Sequence, residues 1–212
     1  MTTGPFEPAV VASAGSTSPG SPLVVLLHGR GSQELQILEL AAQLPVGPSY
    51  AAVRGPVVLD TGGFAWFANR GIGRPVEASL RATLDWFRAW LDEVAPAGRP
   101  VVLVGFSGGA CFAGGLVLDD PSRYAAVALL HGNIPFDAGV PVVPHRLDGV
   151  PVLVTQGERD EMIPRDLSAA SWSYLHDESG AVVNAFRDPG VHEIGPGTLA
   201  ALRTWLATVL PA

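Results

Sequence analysis

Ser107 stands inside Gly105-Phe106-Ser107-Gly108-Gly109, directly after Val101-Val102-Leu103-Val104 and directly before Ala110-Cys111-Phe112-Ala113. An apolar run that ends in Gly-x-Ser-x-Gly and continues into small and apolar residues predicts a buried strand, a sharp turn and a helix. A serine on such a turn occupies a strained backbone conformation that projects its Oγ outward. Gly105 and Gly109 are required because strand and helix pass too closely there to admit a Cβ. A neutral hydroxyl is a poor nucleophile, so a base must take its proton during attack. Preorganised donors must then receive the oxyanion. The chemistry implied is acyl transfer.

In this architecture the partners follow in the order acid, then histidine. After the apolar run Pro151-Val152-Leu153-Val154-Thr155-Gln156 comes Gly157-Glu158-Arg159-Asp160, which places Asp160 at the C-terminal end of a strand. Val182-Val183-Asn184-Ala185-Phe186 is followed by the loop that delivers His192. Asp160 would hold the His192 tautomer and stabilise its imidazolium. Asp166 and Asp188 compete as acids, but Asp166 sits at an expected helix start and Asp188 precedes Pro189 in a turn, both structural uses. His176 falls near a helix end beside Asp177 and Glu178, a position favourable without any chemistry. Upstream, Leu23-Val24-Val25-Leu26-Leu27 ends in His28-Gly29-Arg30-Gly31, a glycine-bracketed turn able to aim a backbone N–H above Ser107. His28 is expected to brace that turn. His131, after an apolar strand, could line the cleft but reads more readily as structural, and His145 has no role.

These residues need a scaffold that brings distant strand ends together. Strands are predicted at 23–27, 50–53, 101–104, 125–130, 151–156 and 182–186, with a short edge strand near Ala9–Ala12 inside a Gly/Pro/Ser-rich start of 22 residues. Helices are predicted near 34–43, 76–95, 108–119, 165–177 and 197–210. Leu80, Leu84, Phe87 and Leu91 recur at helical spacing and mark one buried stripe. The alternation predicts an α/β fold with a mostly parallel central sheet covered on both faces. Right-handed crossovers then carry all strand C-termini to one edge. Residues 55–75 read as one long loop. The proline-rich connection 132–149 is too short for a cap domain, so the cleft is expected to be open.

On these motifs, with Arg54-Gly55-Pro56, the chain from Leu23 to Leu210 resembles the phospholipase/carboxylesterase group of the α/β-hydrolase fold, which includes acyl-protein thioesterases. The resemblance implies Ser107 as nucleophile, Asp160 as acid, His192 as base, and the backbone amides of Arg30 and Gly108 as the oxyanion hole. It also implies an acyl site bordered by the loop carrying Phe64, Trp66 and Phe67, with Met162 and Ile163 as a second apolar wall; read from the residues alone, the three aromatics could equally anchor that loop on the core. Gly108 stands where the family often has Gln, and Val191 where it usually has Gly before the histidine.

Composition excludes several other chemistries. At 212 residues and 48% hydrophobic, the chain is expected to form a single domain. Thirteen basic against 20 acidic residues give a net charge of −7, which argues against nucleic acid or a stable membrane association. All the basic residues are arginine, so Schiff-base and phosphate-loop lysine chemistry are absent. The single Cys111 rules out an intrachain disulfide and a CxxC metal site, and no cofactor or metal is called for. The opening Met1-Thr2-Thr3-Gly4-Pro5 lacks a basic leader, and no apolar run reaches membrane-spanning length, so a cytoplasmic enzyme is expected. Its partner is expected to be a small-molecule ester or thioester, and a homodimer is compatible with the composition. The alternatives are a tailoring enzyme of secondary metabolism performing cyclisation, lyase or acyl-transfer chemistry on the same scaffold, and a non-catalytic ligand-binding module.

Overall fold

The computed structural model describes residues 6–210; the remainder of the expected start, residues 1–5, and residues 211–212 lie outside the described residues. In chain order the elements begin with β1 (Val11–Gly15), β2 (Leu23–Leu27), α1 (Glu34–Leu38) and β3 (Ser49–Val53). Four short strands follow: β4 (Val57–Val58), β5 (Phe64–Ala65), β6 (Asn69–Gly71) and β7 (Arg74–Pro75). The second half contains α2 (Glu77–Val94), β8 (Val101–Phe106), α3 (Gly108–Asp119) and β9 (Ala126–Leu130). It closes with β10 (Pro151–Gly157), α4 (Arg165–Ser173), β11 (Val182–Asp188) and α5 (Pro196–Val209).

Seven strands form one sheet in the order β1-β3-β2-β8-β9-β10-β11. Every pairing is parallel except β1 with β3. The central strands are apolar without interruption because both faces are covered. Alternate residues then divide between two cores, as the pleat requires. Val25, Leu103 and Leu129 face the layer of α2 and α3, whereas Val24, Val104 and Leu130 face α1 and α5. The stripe Leu80, Leu84, Phe87 and Leu91 on α2 is fully buried in the first layer.

Three local expectations differ from the structure. The edge strand forms at Val11–Gly15, where it pairs with β3, rather than at Ala9–Ala12. Residues 55–75 are not one long loop but two small antiparallel ribbons, β4–β5 and β6–β7. The predicted helices at 34–43 and 165–177 end early, continuing as a 3-10 turn over Glu39–Gln43 and a π turn over Tyr174–Glu178. In the π turn the adjacent residues Tyr174 and Leu175 are both buried. The connection between β9 and β10 contains no helix, and no cap domain stands over the sheet edge.

Leu84→Ala should lower the unfolding free energy by about 2–5 kcal/mol, because the lost side chain leaves a cavity between α2 and the sheet. Urea denaturation of the two proteins measures it. A loss comparable to that of a surface substitution would show that the α2 stripe is not part of the core.

Candidate active site

Ser107 closes β8 and opens α3 with φ 55° and ψ −117°, a conformation that L-residues rarely adopt. Its neighbours leave no alternative path. A Cβ on Gly105 would overlap the carbonyl of Gly109, and one on Gly109 would overlap the carbonyl of Leu27. The Ser107 amide donates to the Leu130 carbonyl at 2.9 Å, and its own carbonyl accepts from Ala110 and Cys111 in the first turn of α3. Strand, turn and helix are therefore locked to one another through this residue.

Two loops from neighbouring strands meet the Ser107 hydroxyl. His192, beyond β11, has Nε2 2.8 Å from Ser107 Oγ and Nδ1 2.7 Å from Asp160 Oδ2. A carboxylate only accepts, so Nδ1 carries the proton and Nε2 offers its lone pair to the serine hydroxyl. The other Asp160 oxygen accepts the amides of Met162 and Ile163 at 2.8 and 3.1 Å. Burial alone would push the Asp160 carboxyl up, but the His192 hydrogen bond and those amides outweigh it and hold it below the usual carboxylate range. Asp188 does not touch His192. Its oxygens accept from the Gly190 amide and from the amide and hydroxyl of Thr198, at 2.8 to 3.0 Å. Asp166 pairs with Arg74 on the surface, and His176 bonds to the Trp172 carbonyl at 2.8 Å.

The turn after β2 lies directly against the first residue of α3: a Cβ on Gly108 would stand 3.4 Å from the Arg30 amide nitrogen. His28 braces this turn. Its Nδ1 donates to the Gly29 carbonyl at 2.7 Å and its Nε2 accepts from the Gly55 amide at 2.9 Å. The Trp66 indole N–H donates to the His28 carbonyl at 2.8 Å, while the Phe64 carbonyl accepts from the Gly31 amide at 2.8 Å and the Phe64 amide donates to the Ser32 carbonyl at 3.0 Å.

The sequence profile of the phospholipase/carboxylesterase family matches residues 7–210. The chain belongs to that family. Among its relatives, MhqD of Bacillus subtilis is 27% identical over 188 residues, 86% of this chain and 91% of that protein. A carboxylesterase from Mesorhizobium loti superposes with a TM-score of 0.78 at 29% identity, covering 89% of this chain and 91% of its own. The Bacillus cereus carboxylesterase shares the fold with a TM-score of 0.83 at 24% identity, covering 95% of both chains.

In this family member the serine opens onto a cavity of about 780 Å³, lined by Arg30, Gly108, Phe106, Ser107 and His192 among others. Phe67, Met162 and Ile163 line it. Trp66 and Phe64 do not, and their assignment to the substrate wall is corrected. Trp66 is 1% exposed, stacked on Phe112 at 4.5 Å and committed to the His28 carbonyl. The Phe64 ring lies under the Arg54 guanidinium, 4.6 Å from its centroid, on the side where Arg54 holds Glu34. Both aromatics support the Arg30 turn from behind. The ribbon β6–β7 supplies a wall that the sequence did not indicate, through Asn69, Arg70 and Ile72.

His131, at the end of β9, is 1% exposed and also adopts positive φ, 47°. The Asp188 carboxylate makes Thr198 Oγ1 its donor, so Thr198 must accept from His131 Nε2 at 2.9 Å. Neutral His131 thus carries its proton on Nε2 and leaves Nδ1 bare, without a hydrogen-bond partner, 3.9 Å from Asp160 Oδ2. Burial pushes the His131 pKa down, and the neighbouring His192 adds to the shift; Asp160, Asp188 and Glu193 oppose it. Burial lowers His28 in the same way.

Two predictions follow from these geometries. Ser107→Gly should be more stable than Ser107→Ala by about 1 kcal/mol, since glycine relieves the positive-φ strain and repays only part of that gain in backbone entropy. Equal denaturation midpoints would show that the elbow stores no strain. For His28 and His131, the unfolded chain takes up protons near pH 6.5 while the folded rings resist, so unfolding binds protons in that window. Stability should be level above about pH 6.5 and fall as pH drops below it. Melting temperatures across that range should show a shallower acid slope in His131→Asn, and an unchanged slope would refute the assignment.

Proposed function

We propose that the chain is a serine carboxylesterase that hydrolyses small to medium carboxylic esters through an acyl-enzyme. Ser107 Oγ attacks the ester carbonyl as its proton passes to His192 Nε2. Asp160 holds the imidazole in the Nδ1–H tautomer and stabilises the imidazolium. The amides of Arg30 and Gly108 receive the oxyanion. His192 then returns its proton to the departing alcohol, and the same steps with water as nucleophile release the acid. The observation that carries this reading is the continuous hydrogen-bonded path Ser107–His192–Asp160, at 2.8 and 2.7 Å, opening onto the cavity.

Cavity size and lining favour compact acyl groups. Ile163 and Phe67 are buried walls, and Met162, at 51% exposure, forms a lip toward solvent. Each methylene buried there contributes up to about 0.8 kcal/mol until the cavity fills. No helix among the described residues is long and apolar enough to cross a membrane, and an acidic surface does not favour anionic lipid. A cytoplasmic enzyme acting on small dissolved esters is consistent with both.

A fluorophosphonate probe should label the wild-type protein and fail to label Ser107→Ala. Asp160→Asn should lower turnover of an aryl ester by about 10⁴, the loss that accompanies the wrong imidazole tautomer. Asp188→Asn should act mainly on stability. Labelling of Ser107→Ala at the wild-type rate, or a folded Asp188→Asn with the greater loss of turnover, would overturn the assignment.

A further inference from the structure

The cavity at Ser107 has an electrostatic character opposite to that of the chain. Of its lining residues only Arg30 and Arg70 carry a permanent charge, and no aspartate or glutamate lines it, although acidic residues outnumber basic ones 20 to 13. Five other arginines, Arg54, Arg74, Arg81, Arg88 and Arg123, are each paired with a carboxylate. Arg30 and Arg70 are among the eight arginines that have no such partner among the described residues, and they are the two of these that line the cavity. Each is instead steadied by neutral carbonyls. Arg30 donates to Phe67 at 3.4 Å, and Arg70 donates to Pro75 at 3.3 Å and to Asp137 at 2.9 Å. Carbonyls orient a guanidinium without cancelling its charge, and they leave further N–H groups of each fork unused.

Both arginines line the cavity, and one segment of chain links them. Arg30 reaches the Phe67 carbonyl, and Arg70 lies three residues further along the same segment, a span of at most about 10 Å. The segment is itself held, because Asn133 Nδ2 donates to the Gly73 carbonyl at 2.8 Å. Arg30 also begins at the reacting centre: its backbone amide lies beside Gly108 while its side chain leads away toward Phe67. Phe67, Ile37 and Ile163 line the same cavity and offer apolar surface.

We propose that this site selects esters whose acyl part carries an anionic oxygen group, a carboxylate or a phosphate, a short apolar spacer away from the scissile carbonyl, and that Arg30 and Arg70 hold that group. The inference rests on the esterase reading above and adds the substrate class. Planar guanidinium forks match the oxygens of either anion. Because both arginines are exposed, the preference should weaken with added salt.

The test compares the p-nitrophenyl monoester of glutarate with its uncharged isostere, in which an amide replaces the free carboxylate. The charged ester should be favoured in kcat/KM by about tenfold, the size expected of a charge-assisted hydrogen bond. Arg70→Gln should bring the ratio close to one, Arg70→Lys should restore part of it, and potassium chloride should shrink it in the wild type. A ratio near one in the wild type, or a ratio unchanged in a folded Arg70→Gln, overturns the proposal. Competition against p-nitrophenyl butyrate identifies the anion. Inhibition by free glutarate alone assigns the site to carboxylates, inhibition by inorganic phosphate alone assigns it to phosphates, and inhibition by neither overturns it. Normal probe labelling with turnover of the neutral ester but no charge preference defeats this proposal and leaves the esterase reading standing. Absence of both labelling and turnover defeats the two together.

Discussion

The first turn of α3 approaches the end of β2 so closely that the backbone of Gly109 lies against the carbonyl of Leu27 with no room for a Cβ. That crowding forces the chain to leave β8 through a residue of positive φ, and so obliges Ser107 to stand out from the surface instead of entering the helix. It also sets the first residue of α3 beside the Arg30 turn. The remaining parts of the site are adjustments to that one point. The parallel pairing of β8, β9, β10 and β11 brings the loops beyond β10 and β11 to the same edge, where they close on the serine.

Two carboxylates in that edge have different tasks because of what surrounds them. Asp160 receives the His192 Nδ1–H on one oxygen and two backbone amides on the other. Asp188 receives a backbone amide from its own loop and both donors of Thr198 at the start of α5, and so ties the loop that carries His192 to the helix that follows. Through Thr198 it also settles the tautomer of His131. The carboxylate that does not meet the imidazole therefore still decides where a buried proton resides.

Much of this was legible in the order of residues, for physical reasons. Strands covered on both faces must be apolar throughout, which is why β2, β8, β9 and β10 stood out, and the polar residues immediately after them were the natural candidates for the site. The pair of glycines around Ser107 carried the geometry of the elbow directly. Other features depended on information that a linear pattern lacks. Trp66 and Phe64 read as a substrate wall because aromatics in a loop give no sign of which side they face; the need of the indole N–H for a buried acceptor turned Trp66 toward His28. The ribbon β6–β7 pairs only two or three residues per strand, too few to show alternation, so Arg70 passed as a loop residue. The position of His131 after an apolar strand says only that it is structural or near the cleft; its tautomer depends on Thr198 and Asp188, far along the chain.

Cys111 lines the same cavity as Ser107, one turn further along α3, and is buried; its surroundings push the thiol pKa far above the ordinary range. It therefore stays protonated, a weak acceptor for any acyl group formed beside it. With no lysine anywhere in the chain, no side-chain amine is available either. In the proposed scheme an activated acyl group held on Ser107 would find no rival nucleophile among the thiols and side-chain amines of its own protein. Under that scheme the fate of the intermediate would be left to whatever small nucleophile enters from solvent.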